Sequence, residues 1–254
     1  MAARFCWVEL LTSDVAAAQA FYCDVLGWTC APSGLADRDY RLFTYDGHGA
    51  GGLMLLQEAA KAQGARPSWI GYVASADVDA DIAKILEAGG RLYRPAESLP
   101  GIGRFAVVAD PQGAVFALWH DLSGRDHTPL PPMSIGQVGW HELYTDDVEQ
   151  AFAFYAGQFG WTKSEALDMG PMGVYQIFAA GGAPTGGMMR RPESVPQPFW
   201  NYYFAVPALD AAIAKVKKGG GTIVNGPNEV PGGAWIVQGF DPQGAFFSLV
   251  ATDR

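Results

Sequence analysis

Apolar and polar positions alternate with a period of two over Phe5 to Leu11, which sets Trp7, Glu9 and Leu11 on one strand face and Cys6, Val8 and Leu10 on the other. The period then lengthens: Ala18, Phe21, Tyr22, Val25 and Leu26 recur at helical spacing, with Asp14 as N-cap and Gly27 as stop. From Thr29 to Leu56 the chain returns to strand-like runs, Tyr40 to Tyr45 and Leu53 to Leu56, with Asp46 to Gly52 read as the turn between them. After the polar stretch Gln57 to Ser68, a strand from Trp69 to Ala74 leads through Asp77 into a helix with Ile82, Ile85 and Leu86 on one face, ended by Gly89-Gly90. Strands near Arg91 to Tyr93, Phe105 to Val108 and Ala114 to Trp119 follow, the last two joined by the tight turn Asp110-Pro111-Gln112-Gly113. Strand, helix and three strands are thus written twice within the first half.

The whole pattern then repeats. Residues 140–162 match residues 7–29 without a gap, with 13 of 23 positions identical, including Trp7/Trp140, Glu9/Glu142, Phe21-Tyr22/Phe154-Tyr155 and Gly27-Trp28/Gly160-Trp161. Tyr175 to Phe178 answers Tyr40 to Phe43, Gly186-Gly187 answers Gly51-Gly52, Trp200 answers Trp69, and Asp241 to Gly244 answers Asp110 to Gly113. The stretch Asp121 to Ser134 carries Pro, Gly and Ser without periodicity, as a connection between domains should. The expected organisation is a first domain at 1–122, a linker at 123–135 and a second domain at 136–254.

Composition narrows the setting. With 254 residues, 49% of them hydrophobic, the chain can bury two cores of ordinary size. No apolar run reaches 18 residues, and Met1-Ala2-Ala3-Arg4 leads straight into a strand-like segment, so a soluble, unexported, cytoplasmic protein is expected. Cys6, Cys23 and Cys30 show no ligand or redox spacing and read as small packing residues. Seventeen basic against 26 acidic residues, a net charge of -9, disfavour nucleic acid and anionic membranes as partners. Lys215, Lys217 and Lys218 read as the solvated last turn of a helix.

The W-x-E-L strand, the capped helix ending in F-Y-x-x-x-x-G-W, the Gly-Gly pair and the D-P-x-G turn together resemble the vicinal oxygen chelate superfamily, which includes glyoxalase I, bleomycin-resistance proteins, fosfomycin-resistance enzymes and extradiol dioxygenases. The resemblance covers nearly the whole chain twice. It implies an α+β fold of tandem paired βαβββ modules, whose mixed sheets curl into cups with helices on the convex side and a small-molecule ligand on the concave side. A monomeric pseudo-dimer, or a homodimer of such chains, is the implied assembly.

The resemblance also implies four inward positions per cup where metal-dependent relatives place His, Glu or Gln. Carried over by register, they fall on Trp7 and Trp140, among Leu53 to Leu55 and Met188 to Arg190, near Gly71 and Tyr202, and on Ala117 and Ser248. These side chains are not ligands for a divalent metal, so no cofactor is expected and a metal could be held only through non-standard ligands. Of the four histidines, His48 falls in a turn, His120 at the end of a strand, His127 in the linker, and His141 on the face turned away from the cup.

What remains for the cups is aromatic and acidic. The expected ligand-binding residues are Trp7, Trp69, Trp119, Trp140, Trp200, Tyr202 and Phe204, which suit a flat or apolar molecule and would otherwise serve as core. Glu9 and Glu142 are the catalytic candidates: a carboxylate among indoles suits a general base that removes a proton next to a carbonyl. The alternative is that each is paired and fixes its strand. No nucleophile elbow, P-loop, dinucleotide fingerprint or C-x-x-C motif occurs, and the Gly-Gly pairs read as hairpin and helix-end residues. Two functions stay open: a metal-independent binding protein of the bleomycin-resistance type, and a glyoxalase-like lyase or isomerase. The unequal last strands, Trp119-His120 against Val250-Ala251, allow a third, in which one half is a scaffold.

Overall fold

The computed structural model describes residues 2–35, 38–124 and 130–254; His127 lies outside them. Four modules of one strand, one helix and three strands follow one another. The first comprises β1 (Phe5–Thr12), α1 (Val15–Leu26), β2 (Thr29–Pro32), β3 (Tyr40–Tyr45) and β4 (His48–Leu55), and a short helix α2 (Glu58–Ala62) leads out of it. The second comprises β5 (Ser68–Ala74), α3 (Val78–Glu87), β6 (Arg91–Leu99), β7 (Gly103–Ala109) and β8 (Val115–Asp121). The third comprises β9 (Val138–Thr145), α4 (Val148–Phe159), β10 (Thr162–Asp168), β11 (Val174–Ala179) and β12 (Pro184–Arg190), and the fourth β13 (Phe199–Ala205), α5 (Leu209–Lys218), β14 (Thr222–Glu229), β15 (Trp235–Phe240) and β16 (Phe246–Ala251). Two eight-stranded mixed sheets result, ordered β2-β3-β4-β1-β5-β8-β7-β6 and β10-β11-β12-β9-β13-β16-β15-β14, so each half of the chain builds one α+β sheet. None of the described helices is long and apolar enough to cross a membrane.

The helix boundaries follow from local chemistry. Asp14, Asp77 and Asp147 each accept a backbone N–H of the first turn, and Gly27 and Gly160 end α1 and α4 in the left-handed region at φ 70°. Helix α5 starts at Ala208 without a side-chain cap and carries Lys215, Lys217 and Lys218 in its last turn, favourable at the negative end of the helix dipole. Three details depart from the sequence reading. Only Asp46 and Gly47 form the turn before β4, while Gly49 to Gly52 lie inside the strand. Leu86 is exposed, and Val78 and Ile85 anchor α3. Cys6 is exposed rather than packed, though its thiol reaches the Tyr72 carbonyl, and all three cysteines are free.

By packing, the chain divides into two compact units that draw on both halves. One takes residues 1–6, 70–130 and 141–200, the other 7–69, 131–140 and 201–254. In the second of these, Tyr22 on α1 accepts a hydrogen bond from Trp69 Nε1 at 3.0 Å and donates to Asp241 Oδ2 at 3.1 Å. Asp241 Oδ1 accepts in turn from the backbone N–H groups of Gln243 and Ala245, which shapes the D-P-Q-G turn. Trp28, Phe43, Phe204 and Phe247 pack around this relay. The other unit repeats it: Trp200 Nε1 donates to Tyr155 at 2.8 Å, and Tyr155 donates to Asp110 Oδ2 at 3.0 Å, with Phe116, Trp161 and Phe178 alongside. Burial raises the pKa of both aspartates, against the hydrogen bonds that would lower it. The Phe-Tyr helix and the D-P-Q-G turn are thus two ends of one internal tie, each tie joining opposite halves of the chain.

Candidate functional site

Glu9 is 6% exposed and belongs to a three-residue constellation on β1 and β3. Trp7 Nε1 donates to the Tyr40 phenol oxygen at 3.0 Å, and Tyr40 is hydrogen-bonded to the Glu9 carboxylate. Burial, and then the charge of Glu9, push the Tyr40 pKa well above its ordinary value, so the phenol keeps its proton. The arrangement depends on β4, where Gly52 is the register partner of Glu9. A Cβ on Gly52 would stand 2.0 Å from the Tyr40 oxygen, so only glycine lets the tyrosine lie across the strand. The second half repeats the seat: Gly187 is the register partner of Glu142, and a Cβ there would meet the Tyr175 ring at 2.1 Å. Tyr40 and Tyr175 were missed in the sequence, although the Gly-Gly pairs opposite them were the available signal.

The expected aromatic lining divides between two faces. Trp7 shares the face of Glu9. Trp119 packs edge-on against Tyr72 and its ring fills the space over Gly103. Trp140 packs on the cluster of Tyr203, Ala205 and Val250. Trp69, by contrast, lies on the Val8 side of β1, where a Cβ on Gly51 would meet both residues, and it is held by Tyr22 of α1. Phe204 packs on Trp28 and Trp69, and Trp200 on Tyr155 and Trp161. Tyr202, 2% exposed, shares their side of β13 by strand alternation. These four aromatics belong to the helix-facing cores, because the tyrosines of α1 and α4 draw the tryptophans opening β5 and β13 toward the helices.

The inward positions of β5 and β13 therefore shift by one residue, to Ile70 and Tyr72 and to Asn201 and Tyr203. The cap spacing carried this signal, since Ile70 stands seven residues before Asp77 as Trp7 stands seven before Asp14. Asn201 and Ser248 are buried and exchange hydrogen bonds of 2.9 and 3.0 Å. A chain of side chains runs beside them: Asn228 donates to Asn225, Asn225 to Gln238 Oε1 at 2.9 Å, and Gln238 Nε2 to the Tyr203 phenol at 2.7 Å. The corresponding wall of the other unit, on β6 to β8, carries Arg94 over the Phe105 ring at 4.7 Å and paired with Glu97. His141 lies on the core side of β9, its ring stacked on Phe5 at 4.5 Å and its Nδ1 facing the Thr185 carbonyl. Burial lowers its pKa to about 4, and the hydrogen bond to Thr185 opposes that shift.

Family models match both halves: the Glyoxalase/Bleomycin resistance protein/Dioxygenase superfamily over residues 134–249 and the Glyoxalase-like domain over residues 7–119. The Mycobacterium bovis protein named "Putative glyoxylase CFP32" is 33% identical over 96% of this chain and 93% of its own length. The chain belongs to the glyoxalase/bleomycin resistance protein/dioxygenase superfamily. Another relative, the "Anthracycline biosynthesis protein DnrV" of Streptomyces peucetius, is 32% identical over 96% of this chain and 91% of its own length. The fold is similar to that of the Mn(II)-bound glyoxalase from Novosphingobium aromaticivorans, with a TM-score of 0.66 and 19% identity over 99% of this chain and 84% of that one.

A divalent metal of the superfamily can be tested against the donors present. The inward positions hold Trp7 and Trp140 on the first strands, Gly52 with Met54 and Gly187 with Met189 on the fourth, Ile70 and Asn201 on the fifth, and Ala117 and Ser248 on the eighth. Among the described residues no group of three or more His, Cys, Asp or Glu could hold a metal ion. Indole, thioether, amide and hydroxyl groups in these places do not fit a centre built from imidazole and carboxylate ligands.

Proposed function

We propose that the protein binds a small planar aromatic molecule, without the superfamily's standard metal centre, on the strand faces that carry Trp7 with Glu9 and Trp140 with Tyr203. The observation that supports this most is the Trp7–Tyr40–Glu9 constellation, which sets a buried carboxylate with a hydrogen-bond partner beside a half-buried indole. A carboxylate anchor in an aromatic wall suits a flat ligand with few polar groups. One relative is named an anthracycline biosynthesis protein, and anthracyclines are planar polycyclic quinones, which sets the class of probe for a test. Titration with 2,6-dihydroxyanthraquinone, followed by tryptophan quenching, is expected to saturate, to weaken in Trp7→Ala combined with Trp140→Ala, and to be unchanged by a chelator. Loss of affinity on chelation removes the metal-free part of the proposal.

A second reading is a glyoxalase-like lyase or isomerase in which Glu9 or Glu142 accepts the proton. It is favoured by the Tyr40 hydrogen bond, which stabilises the ionised, proton-accepting form of Glu9. An enzyme of this kind exchanges a proton next to a carbonyl with solvent deuterium, and Glu9→Gln with Glu142→Gln abolishes that exchange.

A further inference from the structure

We propose that Cys23 and Cys30 form a proximal dithiol, a modification site at which a small-molecule disulfide such as oxidised glutathione is reduced while the two thiols close into an intramolecular disulfide, Cys30 attacking and Cys23 resolving. The site lies on the helix-facing side of the first module and is independent of the ligand function proposed above.

Register and strand direction bring the two residues together. Cys30 on β2 is the register partner of Phe43 on β3, and directly paired residues project to the same face. That face looks toward α1: Phe43 packs edge-on against Tyr22 at 6.3 Å, and Arg41, two residues earlier, donates to Gln19 Oε1 at 2.5 Å. β1 is parallel to β4, while β3 is antiparallel to both β4 and β2, so β1 and β2 run one way and the helix between them returns alongside β3. One turn beyond Gln19 on α1 stands Cys23, and one step beyond Arg41 on the same face of β3 stands Phe43, with Cys30 beside it. The two half-buried cysteines thus meet next to the Gln19–Arg41 contact, near enough for the Cys30 charge to add to the rise that burial causes in the Cys23 pKa. In the second half Ala156 and Lys163 occupy these places, and Lys163 pairs with Glu149.

The two thiols are not equivalent. Burial pushes the Cys23 thiol up to about 11, and it pushes Cys30 up as well, but there the positive charge of Arg41 opposes the rise. The thiolate is the attacking form, so Cys30 is the first nucleophile. Its sulfur attacks one sulfur of the external disulfide, breaking that S–S bond and releasing one thiol. Cys23 then attacks the Cys30 sulfur of the mixed disulfide and releases the second. Each cysteine proton ends on a departing thiolate, so two protein thiols are oxidised and one external disulfide is reduced. The new bond ties β2, an edge strand of its sheet, to the helix that covers it.

The test uses the full chain with Cys6→Ser, which leaves only this pair. The folded protein is incubated with oxidised glutathione, remaining thiols are blocked with iodoacetamide, and the peptides are mapped by mass. The expected main product is a Cys23–Cys30 disulfide that melts in a single transition at least about 3 °C above the reduced form and reopens with dithiothreitol. Cys23→Ser is expected to stop at a glutathione adduct on Cys30, and Cys30→Ser to react at least about tenfold more slowly. Separate adducts on the two cysteines, no reaction, or a disulfide that forms only after the fold is lost in denaturant overturns the inference. Reaction of Cys30→Ser at the unsubstituted rate overturns the order of attack.

Discussion

The D-P-Q-G turns of the two halves are held alike, whereas the strands that lead into them present different chemistry. Asp110 and Asp241 each shape their turn through backbone N–H groups and accept from a buried tyrosine that is itself bonded to a tryptophan. On the neighbouring inner wall, Arg94, Val107, Ala117 and Trp119 stand in one unit where Asn225, Gln238, Ser248 and Val250 stand in the other. The tie recurs unchanged, and the side-chain polar atoms that form it are buried and hydrogen-bonded. The wall could change residue by residue, from cationic and aromatic to neutral and hydrogen-bonding, without disturbing the strands. What recurs holds the fold together; what differs is the chemistry of the inner walls.

The largest expected effect tests the equivalence of the ties. Asp110→Ala and Asp241→Ala each strand a buried tyrosine hydroxyl and several backbone N–H groups, and each is expected to cost about 3–5 kcal/mol in chemical denaturation. A near-neutral result for one of them would break the comparison.

Next comes an asymmetry between Val8 and its counterpart His141. The folded-state pKa of His141 is about 4, below its ordinary 6.5, so the fold accepts the neutral ring. Its contribution is present above pH 6.5 and is lost as pH falls from 6.5 toward 4, by at most about 3 kcal/mol. His141→Val is expected to flatten the stability profile over that window, and an unchanged acid limb would show that other groups govern it.

Smaller effects come from the walls. Ser248→Ala removes both hydrogen bonds that the buried Asn201 amide exchanges with the Ser248 hydroxyl and is expected to cost about 1–2 kcal/mol. The reciprocal Ala117→Ser adds a hydroxyl where the fifth strand offers Ile70 instead of an amide, and a similar loss in thermal melting is expected. Arg94→Ala should cost less than about 1 kcal/mol, since Arg94 and Glu97 are both more than a third exposed. A large loss there would mean that the aromatic wall depends on its cation.

Much of the fold was legible because the signals are local and occur twice. Asp14, Asp77 and Asp147 announced helices that begin one residue later, and Gly27 and Gly160 ended theirs where a left-handed residue was needed. The site was legible in part: Glu9 and Trp7 are neighbours through one tyrosine, but Tyr40 lies 33 residues from Trp7 and its seat at Gly52 looked like a turn. Trp69, Trp200, Tyr202 and Phe204 were set on the wrong face because a strand buried on both sides shows no alternation from which to choose a direction.

From the sequence alone came the duplication, the order of strands and helices, the starts of α1, α3 and α4 and the ends of α1 and α4, all of which depend on residue type and short spacing. Tertiary structure alone decided which side each aromatic faces, which tyrosine holds Glu9, and that each compact unit is assembled from both halves. The reason is physical: Tyr22 meets Asp241 across 219 residues of chain, and a contact of that range is selected by the packing of whole elements.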